Sequence, residues 1–155
     1  MQKLINFLND VISQLNILTL DNFFNFFINK LREYYEYKNI FIGINNDEND
    51  YMNLYSDNTF DTTQKIKMTN FISLLLTGKC SSIQLKDAKC NFKDETIREV
   101  YVYPIFKKQK IIGLFAIGKM EEMNIENTNI QWIINFLGNT DRKSTRLNSS
   151  HGYIS

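Results

Sequence analysis

Residues 99–118 read EVYVYPIFKKQKIIGLFAIG, and the rest of the chain is arranged around them. EVYVYPIF (99–106) and KIIGLFAIG (110–118) are rich in β-branched and aromatic residues and read as two strands. Lys107, Lys108 and Gln109 leave room only for a tight hairpin between them. Two apolar strands joined this closely pair antiparallel. KIIGLFAIG is apolar on both of its faces, as a strand covered from both sides must be.

Working upstream, SSIQL (81–85) reads as a short strand and 86–97 as a polar loop. Ile66, Met68, Phe71, Ile72, Leu75 and Leu76 stand at core spacing for a helix that opens at Asp61 or Thr62 and stops at Gly78. NIFIGIN (39–45) and YMNLYSD (51–57) form a second hairpin across NNDENDY. Leu20, Phe23, Phe24, Phe27, Ile28, Leu31 and Tyr35 make the wide apolar stripe of another helix, with Thr19 or Asp21 as its N-cap. Leu4, Leu8, Val11 and Leu15 mark an amphipathic helix over about 2–16, with Ile5 and Ile12 beside the stripe. Downstream, Ile130, Ile133, Ile134 and Leu137 mark a closing helix opened by Asn124 or Glu126. The order predicts an α+β fold: an antiparallel sheet of about five strands with helices on both faces.

Composition narrows the function classes. Lys and Arg number 18 and Asp and Glu 17, for a net charge of +1. That balance argues against nucleic acid as a partner. No apolar run approaches the ~20 residues that span a bilayer, and the N-terminus lacks a signal-peptide core, so no membrane insertion is expected. Two cysteines, Cys80 and Cys90, are too few for a secreted disulfide scaffold and point to a cytoplasmic location. The abundance of Asn, Ile, Lys and Phe points to an AT-rich bacterial gene.

The segment DRKSTRLNSSHGYIS (141–155) breaks the pattern, with neither helical nor strand periodicity. Its first eleven residues, Asp141 to His151, resemble a translated sequencing adapter. We therefore expect 1–140 to be one domain, truncated at its C-terminus, and 141–155 to be a non-native tail. Without Asp141, Arg142, Lys143 and Arg146, the first 140 residues keep 15 basic and 16 acidic side chains, and without His151 they have no histidine for proton transfer or metal ligation.

YPIFKKQKIIGLFAIG (103–118) resembles the signature of GAF domains, through Pro104–Ile105, the polar turn, and Ile112–Gly113–Leu114. LLTGKCSSIQLKDAK resembles the family's segment of helix end, strand and Asp–Ala pair, through Thr77–Gly78 and Asp87–Ala88. IENTNIQWIINFL resembles its closing helix, and together the resemblance spans about 3–138. It implies a GAF/PAS-like sheet and a small-molecule site beneath a covering segment, lined by Phe71, Asp87, Phe92, Tyr101 and Tyr103. Aromatic walls with a few polar groups suit a planar ligand, which remains unidentified, and the cofactor is unknown. Neither cysteine neighbours a histidine, which argues against bilin attachment and haem ligation. NFKDE (91–95) differs in order and spacing from the family's cyclic-nucleotide constellation.

The expected function is a regulatory, non-catalytic sensing or dimerisation domain of bacterial signal transduction, a homodimer through its N-terminal helix. Two alternatives stand beside it. One is a small methionine sulfoxide reductase using Cys80 and Cys90, with nearby lysines favouring a thiolate. The other is an interaction module whose pocket is filled by its own Phe and Tyr.

Overall fold

A computed structural model of the chain describes residues 2–45, 50–57, 60–61, 66–87, 90–119 and 129–139. The expected tail at 141–155, Thr62, and the expected openers of the closing helix, Asn124 and Glu126, lie outside the described residues; Asp61, the other expected start of the third helix, is instead in a strand opposite Asn91.

Eight strands are described: β1 (Ile40–Asn45), β2 (Tyr51–Ser56), β3 (Phe60–Asp61), β4 (Ile66–Lys67), β5 (Lys79–Ser81), β6 (Asn91–Phe92), β7 (Glu99–Lys107) and β8 (Lys110–Gly118). Six of them form one sheet in the order β4-β2-β1-β8-β7-β5, and β3 with β6 forms a separate two-stranded ladder. Every pairing is antiparallel. The architecture is the expected α+β layer, with six strands in the main sheet rather than about five. The extra strand is β4, two residues long and too short to show a period in sequence.

The sheet separates two hydrophobic cores. Ile40, Ile42, Ile44, Phe115 and Ile117 point to one side, where they meet three helices. These are α1 (Gln2–Gln14), α2 (Leu20–Tyr35) and α5 (residues 129–139). Thr19 caps α2 by accepting the Asn22 N–H at 3.3 Å, satisfying one of the helix's orphan donors. In α5, Ile130, Ile133, Ile134 and Leu137 all join this core, as their spacing requires. Leu4, Phe7 and Val11 of α1 are buried in it too, and the Phe7 ring packs edge-on to Phe27 at 5.3 Å. The main stripe of α1 is thus used within its own chain.

Two glycines and a proline fit the sheet for stated reasons. A Cβ on Gly113 would stand 2.3 Å from the Gly43 carbonyl oxygen, so β8 and β1 approach as closely as they do only without it. A Cβ on Gly138 would stand 2.1 Å from the Phe106 carbonyl oxygen, which seats the end of α5 directly on β7. The Val102 N–H donates to Gly78 O at 3.1 Å, towards the β5 side. Two residues on, position 104 faces the same side, past the end of β5, so Pro104 forfeits no ladder bond to β8.

Candidate functional site

On the other face of the sheet lies a covering layer drawn from the described residues between β4 and β7, a stretch that also supplies the edge strand β5. After β4 comes a 3₁₀ turn (Met68–Phe71), then α3 (Ile72–Thr77), β5 and α4 (Ser82–Asp87). The expected long helix is therefore shorter and starts later. Ile66 is drawn into a ladder opposite Met52, and the Met68 N–H donates to Asp50 O at 2.8 Å, which fixes extended backbone there. Gly78 ends α3 as expected, with φ of 74° and its N–H on Leu74 O.

The expected strand SSIQL (81–85) is largely helix. Ser81 Oγ accepts the Gln84 N–H at 3.1 Å, and Gln84 Oε1 accepts the Ser81 N–H at 2.9 Å. This reciprocal pair is a capping box, S-x-x-Q, and it opens α4 where alternation suggests a strand. The strand itself sits earlier, at Lys79–Ser81, opposite Glu99–Tyr101.

Phe41, Met52, Phe71, Leu85, Phe92 and Leu114 fill the layer between sheet and cover, with Cys80 and Cys90 among them. Phe71, Cys90, Val100, Leu114 and Ala116 expose 0% of their surface. A side chain with no exposed surface has no water-sized void against it, because a solvent sphere in such a void would touch it. Phe41 and Phe92 meet ring to ring at 6.0 Å within this layer.

The five residues expected to line one site do not converge. Phe71 and Phe92 lie in the covering layer, where they were placed. Tyr101 and Tyr103 do not face them. Val100 and Val102 take the covering side of β7, so strand alternation sends the two tyrosines to the opposite face. Tyr103 packs against the helical core, its ring 6.3 Å from that of Phe115. Tyr101 lies between two ammonium groups, with Lys79 Nζ 5.7 Å and Lys119 Nζ 5.9 Å from its ring centre. Glu99 pairs with both lysines, at 2.7 and 3.6 Å. Asp87 is exposed at the end of α4.

Both cysteines are buried, and neither is in a disulfide. Burial pushes the Cys80 thiol up from an ordinary 9.0 to about 11. Cys90 is raised further, by burial first and then by the neighbouring Cys80. Of the lysines expected to favour a thiolate, Lys86 and Lys93 are exposed and Lys79 is engaged by Glu99, while Lys89 lies outside the described residues. Among the described residues no group of three or more His, Cys, Asp and Glu side chains could hold a metal ion, and no helix is long and apolar enough to cross a membrane.

Sequence reading missed Phe41, Met52 and Cys90 as interior to the covering layer. The signal was available for Phe41, which alternates with Ile40 and Ile42 in β1. Cys90 is placed by a contact across α4, its N–H on Leu85 O at 3.0 Å, which no local pattern announces.

No protein-family model matches the chain, and no curated protein does. Solved structures do. The GAF domain of a phosphoenolpyruvate-protein phosphotransferase from Coxiella burnetii superposes with a TM-score of 0.70 at 9% identity, covering 97% of this chain and 98% of that one. The phycoerythrobilin-bound GAF domain of a cyanobacterial phytochrome gives 0.65 at 11% identity, over 95% and 98%. Free methionine-R-sulfoxide reductase from Neisseria meningitidis, in complex with its substrate, gives 0.60 at 11% identity, over 90% and 89%. The chain has the GAF-domain fold.

Proposed function

We propose that this chain is a regulatory domain of a signalling protein, cytoplasmic and non-catalytic by itself, which acts through a homodimer formed along α1. The observation that carries this reading is the closed covering layer. Among the described residues Phe71, Cys90, Val100, Leu114 and Ala116 expose 0% of their surface, so no water-sized void touches these five side chains, which supports a layer packed by its own residues. Both thiols keep their protons at neutral pH, which disfavours a cysteine nucleophile and hence the reductase alternative.

Relay through a dimer is favoured by what α1 leaves outside. Ile5 and Ile12 are 43% and 51% exposed, and half-buried Leu8 and Leu15 stand beside them. Ile5, Leu8, Ile12 and Leu15 follow a three-four-three spacing, with Ile and Leu in the alternation that suits a parallel two-stranded seam.

Sedimentation equilibrium tests it. The chain is expected to be dimeric at about 100 μM, and Ile12→Asp to be monomeric with an unchanged circular dichroism spectrum, since one buried charge at such a seam costs about 1–3 kcal/mol per protomer. A monomeric wild-type chain at that concentration overturns the dimer.

A further inference from the structure

β5 lies at one end of the main sheet, and among the described residues no strand pairs with its outer side. The alternation of an antiparallel ladder fixes which of its backbone groups face outward. The Val102 N–H donates to Gly78 O, so Gly78 and, two residues on, Cys80 turn their backbone groups towards β7. Lys79 and Ser81 therefore turn theirs to the open edge. Such a row is a template for another strand. Here it is already engaged. The Thr77 hydroxyl lies 2.6 Å from Lys79 O and 2.8 Å from Leu74 O. Its one proton serves one acceptor at a time, and Leu74 O also accepts the Gly78 N–H, so Lys79 O is the acceptor that depends on it. The Ser81 N–H donates to Gln84 Oε1 at 2.9 Å. Thr77 and Gln84 are both exposed, so burial does not hold them there.

The two engaged groups belong to one bond that is not made. With β5 of a second copy antiparallel about an axis through Cys80, Lys79 faces Ser81 of that copy. The bond between them then runs from the Ser81 N–H to Lys79 O. Those are the groups that Gln84 and Thr77 hold within each chain. The self-pairing is otherwise free of conflict, since Lys79 meets a serine rather than a second lysine. We propose that Thr77 and Gln84 guard the β5 edge, engaging in every copy the backbone groups through which it would join a second copy of this chain. The contact that caps α4 thereby has a second role, at the sheet edge. The proposal is independent of the dimer along α1 and of the covering layer.

The test is made in the full chain carrying Ile12→Asp, so that pairing along α1 contributes to neither arm. Amide chemical shifts are followed as protein concentration rises to about 2 mM. Thr77→Val with Gln84→Met removes both guards at nearly constant volume. This variant is expected to dimerise with a dissociation constant on the order of 1 mM, about tenfold or more tighter than its parent, with the Lys79 and Ser81 amides moving most. Thr77→Ser with Gln84→Glu keeps a hydroxyl and an accepting oxygen, and is expected to behave as the parent does. Three results overturn the proposal: a folded guardless variant that does not associate, association in which the Lys79 and Ser81 amides stand still, or equal association of the Ser and Glu variant. If the guardless variant loses its circular dichroism spectrum, Gln84→Met alone decides, because it leaves Thr77 and the end of α3 intact. It is expected to associate about threefold or more tighter than the parent, and association no tighter than the parent's also overturns the proposal.

Discussion

At the scale of single residues, the thiols show how burial sets chemistry. Burial dominates at both Cys80 and Cys90, and both hold their protons more tightly in the fold than in an unfolded chain. A group that keeps its proton better when folded contributes its stability fully below its unfolded value and loses it as pH rises. For Cys80 that loss begins near 9.0 and runs through about 11. Urea midpoints are therefore expected to fall between pH 8 and pH 10.5, and Cys80→Ala with Cys90→Ala to flatten part of that slope. Tyr34, Tyr103 and Lys79, also raised, contribute to the remainder, the first through its hydrogen bond to Asp10, the second through burial and the third through its hydrogen bond to Glu99. An unchanged slope in the double variant would show that the cysteines are solvated. Asp57 illustrates the complementary case of a buried polar group fully engaged. Its carboxylate accepts the Asn39 N–H at 2.9 Å and the Ile40 N–H at 3.3 Å, which holds Asn39 at a φ of 58° where β1 begins.

At the scale of elements, the close approach of β1 and β8 gives a graded expectation. Gly113→Ala drives a methyl group against the Gly43 backbone, which cannot give way without opening the ladder. A loss of about 3 kcal/mol is expected, measured by urea unfolding. Gly43→Ala meets the Met52 sulfur at 2.8 Å, the end of a flexible side chain, and is expected to cost about 1 kcal/mol. Equal losses would show that the sheet, rather than the side chain, adjusts in both. The long elements were legible in sequence because their patterns repeat. β7 is a nine-residue β-rich run, β8 is a nine-residue run that is apolar on both faces, and α2 shows its stripe over 16. The capping box at Ser81 and Gln84 was equally present in the sequence, yet the alternation of SSIQL masked it. β3, β4 and β6 have two residues each and carry no period at all. The candidate site fared worse for a related reason. Which face of β7 a tyrosine takes depends on strand register, which Val100 and Val102 fix by their greater burial, and Tyr101 and Tyr103 follow passively to the other side.

At the scale of the whole molecule, the sheet keeps two interiors apart, and they are unequal. The helical side rests on α1 and α2, of 13 and 16 residues, with rings of Phe7, Phe23, Phe27 and Phe136 in contact. The covering side rests on pieces of two to six residues. Short pieces with few internal hydrogen bonds open at lower free energy than long helices. Amide exchange is expected to be faster across 68–92 than across 4–14 and 20–35 by about tenfold or more. Uniform protection across both sides would mean that the molecule opens only as one unit. A sheet with unlike cushions on its two sides behaves as a keel under a removable deck: the deck can lift, wetting the sulfur atoms beneath it, while the hull keeps its shape. Transient lifting would then be the natural moment for a reagent to reach Cys80 and Cys90, so that thiol labelling clocks the motion of the deck rather than the reactivity of the sulfurs.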